Sequence, residues 1–150
     1  MQNRQLEKSL KPIFIFLIIW GAIQIARLIA IPLMLDILNG KADEAWMFPA
    51  ILDTVTAILS FYFLYAIWKQ RDFATWMYTF LYLVISIIDH IDGAVAGALT
   101  TAPALFGGPD RDKVSLIISL LVPGVIDAIA LYLLSRKDVR SKFFTINEPH

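Results

Sequence analysis

Four apolar stretches, at about residues 12–35, 46–68, 73–98 and 114–135, constrain this chain more than anything else in it. Each is long enough to cross a hydrocarbon core of roughly 30 Å, which takes about 20 residues of helix. Backbone groups inside a bilayer must pair within the protein, so helices are the form these stretches can take. The expected fold is therefore all-α: a polytopic membrane four-helix bundle, with residues 1–150 forming a single membrane domain. At 58% hydrophobic residues and a mean hydropathy of +0.66, the chain carries more apolar surface than one globular core of its size would hide.

The charged residues mark the boundaries. A basic start (Arg4, Lys8, Lys11) leads to Pro12, which suits the first turn of a helix. The first run continues to Leu35, too long for the apolar region of a signal peptide, and Pro32 is expected to kink or end it. Asn39-Gly40 reads as a turn, Lys69 to Asp72 as a tight link between spans, and residues 99–113 as an irregular external loop in which Asp110 or Asp112 caps the fourth helix. Residues 136–150 read as a cytoplasmic tail, basic at first (Arg136, Lys137, Arg140, Lys142) and frayed after that. Lysine and arginine crowd the termini and the Lys69 link, whereas only Lys41, Arg111 and Lys113 lie on the other side. By the positive-inside rule both N and C termini are cytoplasmic, in a cell inner (plasma) membrane.

The exclusions are short. Cysteine is absent, which removes disulfides and thiolate chemistry, and a formal charge of zero gives no reason to expect nucleic acid as a partner. No cofactor is expected, and no metal. His90 is the only histidine in the spans, and it points about 100° away from Asp89 on a helix.

Function, on this reading, rests with the ionisable residues inside the spans: Arg27, Asp53, Asp89, His90, Asp92 and Asp127. Such residues face a bundle interior, pair with one another, or mark a pathway. Counting inward at about 1.5 Å per residue puts Arg27, Asp53 and Asp89 at one level, roughly 22 to 24 Å from the cytoplasmic ends. Asp92 falls one turn further out and Asp127 nearer the midplane. The faces agree: Gln24 with Arg27; Asp53 with Thr56, Ala57 and Ser60; Tyr82, Ser86, Asp89, Gly93 and Ala96. Four carboxylates against one arginine and one histidine leave at least two to be protonated, hydrated or bound to a cation. A five-residue echo, Pro49 to Asp53 against Pro123 to Asp127, hints at paired hairpins.

Three functions fit. The first is an accessory or interaction subunit without chemistry of its own, which presents this outward polar cluster to a membrane-protein partner or to further copies of the chain in the lipid bilayer. The second is a small proton- or cation-coupled transporter or channel working as an oligomer. The third is an intramembrane aspartyl hydrolase. Size and topology resemble the lipoprotein signal peptidases, but Asp89 and Asp127 lack the asparagine-rich and glycine-rich signatures of those enzymes.

The closing segment, Tyr132-Leu133-Leu134-Ser135-Arg136-Lys137 through Val139, Arg140 and Phe143, resembles that of a family of small four-helix bacterial inner-membrane proteins whose activity is not known. The basic turn at Lys69 to Arg71 and the aspartate at Asp89 fit the same pattern. Asp138 interrupts the basic run, and the first span lacks the Gly-Gly-Trp start of that family. The resemblance implies fold and membrane class, and no catalytic residue.

Overall fold

A computed structural model describes residues 2–69 and 72–144, with the side chains of the first helix described from Leu10 onward. The helices are α1 (Gln2–Gln24), α2 (Ala30–Leu38), α3 (Met47–Lys69), α4 (Phe73–Leu99), α5 (Lys113–Ser135) and α6 (Lys137–Phe144), and no strand occurs among the described residues. Four spans are long and apolar enough to cross a membrane: Leu10–Leu38, Glu44–Lys69, Phe73–Leu99 and Lys113–Ser135. The all-α bundle of membrane-spanning helices is thus what the chain forms.

Aspartates start the later spans. Asp72 accepts from the Thr75 backbone N–H and Asp112 from that of Ser115, each at 2.8 Å, and Asp43 accepts from Ala45 N–H at 2.8 Å ahead of a 3₁₀ turn over Glu44–Trp46. Each side chain occupies a donor that the helix itself leaves open. Of the two cap candidates, Asp112 is the one used. The first span ends at Asn39-Gly40, where Gly40 takes φ +68° and the Lys41 N–H reaches back to the Asp36 carbonyl at 2.8 Å. A side chain at Gly40 would be strained in that left-handed conformation.

Several boundaries differ from expectation. Pro12 lies inside α1, which begins at Gln2. Pro32 neither ends nor interrupts its helix; the departure comes just before it, as a 3₁₀ segment at Ile25–Ile29. A proline lacks the N–H that residue 28 would bond and crowds that carbonyl, so the preceding turn tightens. The 99–113 loop contains a 3₁₀ turn at Ala104–Phe106. Within the Lys69 to Asp72 link, Gln70 and Arg71 lie outside the described residues, as does the tail beyond Phe144.

The basic part of the tail forms α6, and the stretch expected to fray after it lies almost wholly outside the described residues. Val139 and Phe143, one turn apart on α6, are both fully buried against Leu10, Leu17 and Leu134, so apolar spacing within a basic run docks it. Arg136 donates to both Asp138 carboxylate oxygens, at 2.6 and 3.1 Å, and holds that carboxyl below the usual carboxylate range. What the pair adds is present at neutral pH and lost as the pH falls through the lowered value; both groups being exposed, it adds little.

Contact is most extensive between neighbours in sequence. The first span packs on α3, α3 on α4, and α4 on α5, while α1 and α5 lie farther apart and meet through side chains such as Trp20 and Asp127. One apolar cluster lies at the terminal end (Leu10, Phe63, Leu83, Leu134, Phe143), the other at the loop end (Leu33, Trp46, Leu116). Trp46 fixes the latter by donating to Thr100 Oγ1 at 2.8 Å.

Gly21 sets how closely the first span approaches α3. A Cβ there would meet the Phe63 ring at 2.7 and 2.8 Å, and Phe63 is fully buried with nowhere to move. Gly21→Ala is therefore expected to destabilise the protein by about 1–3 kcal/mol in reversible unfolding in mixed detergent–SDS micelles. A change near zero would mean that the two helices separate freely at this crossing. On α4, Gly97 is tight, with Leu116 at 3.1 Å from a built Cβ, whereas Gly93 leaves Leu120 at 3.8 Å.

Candidate functional site: a four-helix polar cluster

Arg27 is the centre of the cluster, and the 3₁₀ segment that carries it turns its guanidinium inward. Its Nη1 donates to Asp89 Oδ2 at 2.6 Å and lies 3.5 Å from Asp53 Oδ1. Its Nη2 donates to Ser86 Oγ at 2.7 Å, lies 3.7 Å from Asp127 Oδ2, and contacts His90 Nε2. One guanidinium thus reaches side chains from all three other spans, which a lysine's single ammonium would not do with the same geometry.

Asp127 is the second hub and is completely buried. Oδ1 accepts from Trp20 Nε1 at 2.5 Å and faces Gln24 Nε2 at 3.5 Å; Oδ2 accepts from Ser86 Oγ at 2.6 Å and lies 3.3 Å from His90 Nε2. α5 comes close enough for this because Gly124 lies against α4, where a Cβ would stand 3.0 Å from His90 Cβ.

Five of the six expected residues therefore meet: Arg27, Asp53, Asp89, His90 and Asp127. Arg27, Asp53 and Asp89 share a level as the rise per residue predicted, and Asp127, placed deeper by counting, joins them within reach of the long arginine side chain. The two aspartates of the pentapeptide echo, Asp53 and Asp127, approach different nitrogens of that guanidinium. Asp92 stays outside: it is partly exposed and makes no hydrogen bond or ion pair among the described residues. His90 does enter, because a residue 100° round from Asp89 faces α5 while Asp89 faces the first span. Trp20 was not anticipated, although its spacing to Gln24 and Arg27 at i, i+4 and i+7 puts all three on one face.

What the arrangement can do chemically follows from where Arg27 sits. It stands between the Asp89 and Asp127 carboxylates, where an aspartyl hydrolase would hold its shared water. Ser86 gives its hydroxyl proton to Asp127 directly, so it is not relayed to the imidazole as an activated nucleophile would be. Among the described residues no three carboxylate or histidine side chains converge as a metal site needs.

Two spaces adjoin the cluster. A small one of about 20 Å³, room for one water, is bounded by Asp53, Asp89 and His90 under Trp46 and Phe106. The larger, about 290 Å³, is a groove in the seam between the first span and α5. Arg27, Asp53 and His90 form its floor, Ile23 and Ala26 one wall, Leu120 and Pro123 the other, and Phe106 its outer end. Asp53 is the carboxylate of the cluster left open here, with a quarter of its side chain exposed against 2% for Asp89 and none for Asp127.

Among the described residues, one buried hydroxyl has no partner: Thr56 Oγ1, one turn along α3 from Asp53. Thr56→Val keeps the shape and removes an unpaired group, so it is expected to leave stability unchanged or raise it by about 1 kcal/mol. A loss of stability in the same micelle unfolding assay would show that the hydroxyl is bonded in the membrane.

No family model, no curated protein and no solved structure matches this chain.

Proposed function

We propose that this chain is an accessory subunit of a bacterial inner membrane, without chemistry of its own, that binds a partner's transmembrane helix in the seam between its first and fourth spans. The observation that carries the reading is the groove between the first span and α5. The two helices meet through the side chains of Trp20, Gln24 and Asp127, and beside that contact a groove opens between apolar walls, with Asp53 the most exposed charge on its floor. Charge facing hydrocarbon is costly, so a surface of this kind is stable when something covers it. The excess of Lys and Arg at the end bearing the termini supports a cytoplasmic location for that end, with the cluster in the outer half of the bilayer.

Photocrosslinking in native membranes tests this. A benzophenone side chain at Ala26, on the groove wall, is expected to give a discrete protein adduct; the same group at Ile58, exposed on α3 away from the groove, is expected to give lipid adducts alone. Equal adduct patterns from both positions would sink the reading.

A second reading, a proton- or cation-coupled transporter working as an oligomer, is favoured by the one-water space beside Asp53 and Asp89. It requires flux into liposomes that Asp89→Asn abolishes, and flux no greater than that of empty vesicles eliminates it.

A further inference from the structure

The charge of the groove floor says what a partner helix must bring. Three carboxylates, Asp53, Asp89 and Asp127, face one guanidinium and one imidazole. Arg27 is committed elsewhere: its direct hydrogen bonds go to Asp89 and Ser86, and Asp127 is satisfied by Trp20 and Ser86. Asp53 is left at 3.5 Å from a nitrogen already bonded to Asp89, and it is the carboxylate the groove exposes. Around it the groove is apolar on both sides, offering Ile23 and Ala26 opposite Leu120 and Pro123.

Resting on the seam reading above, we propose that the partner is a transmembrane helix carrying one basic residue in its outer third, whose side chain enters the groove and pairs with Asp53. The helix supplies apolar surface for the two walls, and its cation supplies the charge the floor lacks. The attraction is large because both charges are out of water. The aliphatic stem of a lysine or arginine suits the apolar mouth, with the charged head at the floor.

The test uses the full-length protein in lipid bilayers with two synthetic leucine–alanine transmembrane peptides, identical except for lysine or norleucine at the outer-third position. Association is read by energy transfer. The lysine peptide is expected to bind on the order of tenfold more tightly than the norleucine peptide. Asp53→Asn should abolish that preference and Asp53→Glu should keep it, while the norleucine peptide's own association reports whether each variant still folds. Equal binding of the two peptides to the unmodified protein overturns the inference. If Ala26 adducts persist alongside that result, the seam still docks a helix and only the charge rule fails. If adducts are missing as well, the seam reading fails with it. Saturable displacement of a groove-bound probe by octadecylamine, with no preference between the peptides, also overturns it, in favour of a cationic amphiphile.

Discussion

Replacing Arg27 with methionine is expected to destabilise the protein by about 3–5 kcal/mol, the cost of leaving buried charge without its partner. The substitution keeps an unbranched stem but ends near the arginine Nε, so the loss combines electrostatics with the space the guanidinium leaves. Asp89, 3% exposed, would lose its direct donor, and Ser86 its second bond. Arg27→Lys should recover only part of this, since one ammonium replaces a fork that spans Asp89 on one nitrogen and Ser86 on the other. Restoring stability by Arg27→Met/Asp89→Leu, which removes both ends of the pair, would separate the penalty of an orphaned carboxylate from the net worth of the bridge. A loss below about 1 kcal/mol in the single variant would mean that water or lipid headgroups reach the cluster freely.

Asp127→Leu is expected to be comparably damaging, by about 3 kcal/mol or more, for a different reason. Here the acceptor disappears, and the Trp20 indole N–H and the Ser86 hydroxyl lose the oxygens that bind them at 2.5 and 2.6 Å. Trp20 is buried in the terminal-end core, so its fluorescence should shift as the hydrogen bond goes, giving a readout independent of unfolding. Asp127→Asn should fall between, because an amide keeps one acceptor for Trp20 but aims N–H groups at Ser86 and Arg27. An unchanged Trp20 environment in Asp127→Leu would contradict the network described above.

Much of the fold was legible because apolar length and charge placement are long-range signals. The spans emerge from hydrophobicity alone, and the shared depth of Arg27, Asp53 and Asp89 from a constant rise per residue. Orientation around the axis was harder. Listing Asp89, His90 and Asp92 together left open which of them face inward, and α4 packs against both α3 and α5. Two neighbouring residues on such a helix can both be inside. The 3₁₀ segment at Ile25–Ile29 was hidden because its cause, Pro32, comes after it and acts backwards on the chain. The α6 helix escaped notice because Val139, Phe143 and Phe144 among charges carry little periodicity until a surface exists to receive them.

The bridge between Trp20 and Asp127 joins residues 107 positions apart, and this separation has a consequence for biogenesis. Arg27 is made and handed to the membrane long before the last span exists, since a chain emerges from its N-terminal end. Arg27 meets its direct partners, Asp89 and Ser86, once α4 is made, whereas Trp20 and Gln24 reach their acceptor only with α5. The cluster is therefore completed by the last span to be synthesised.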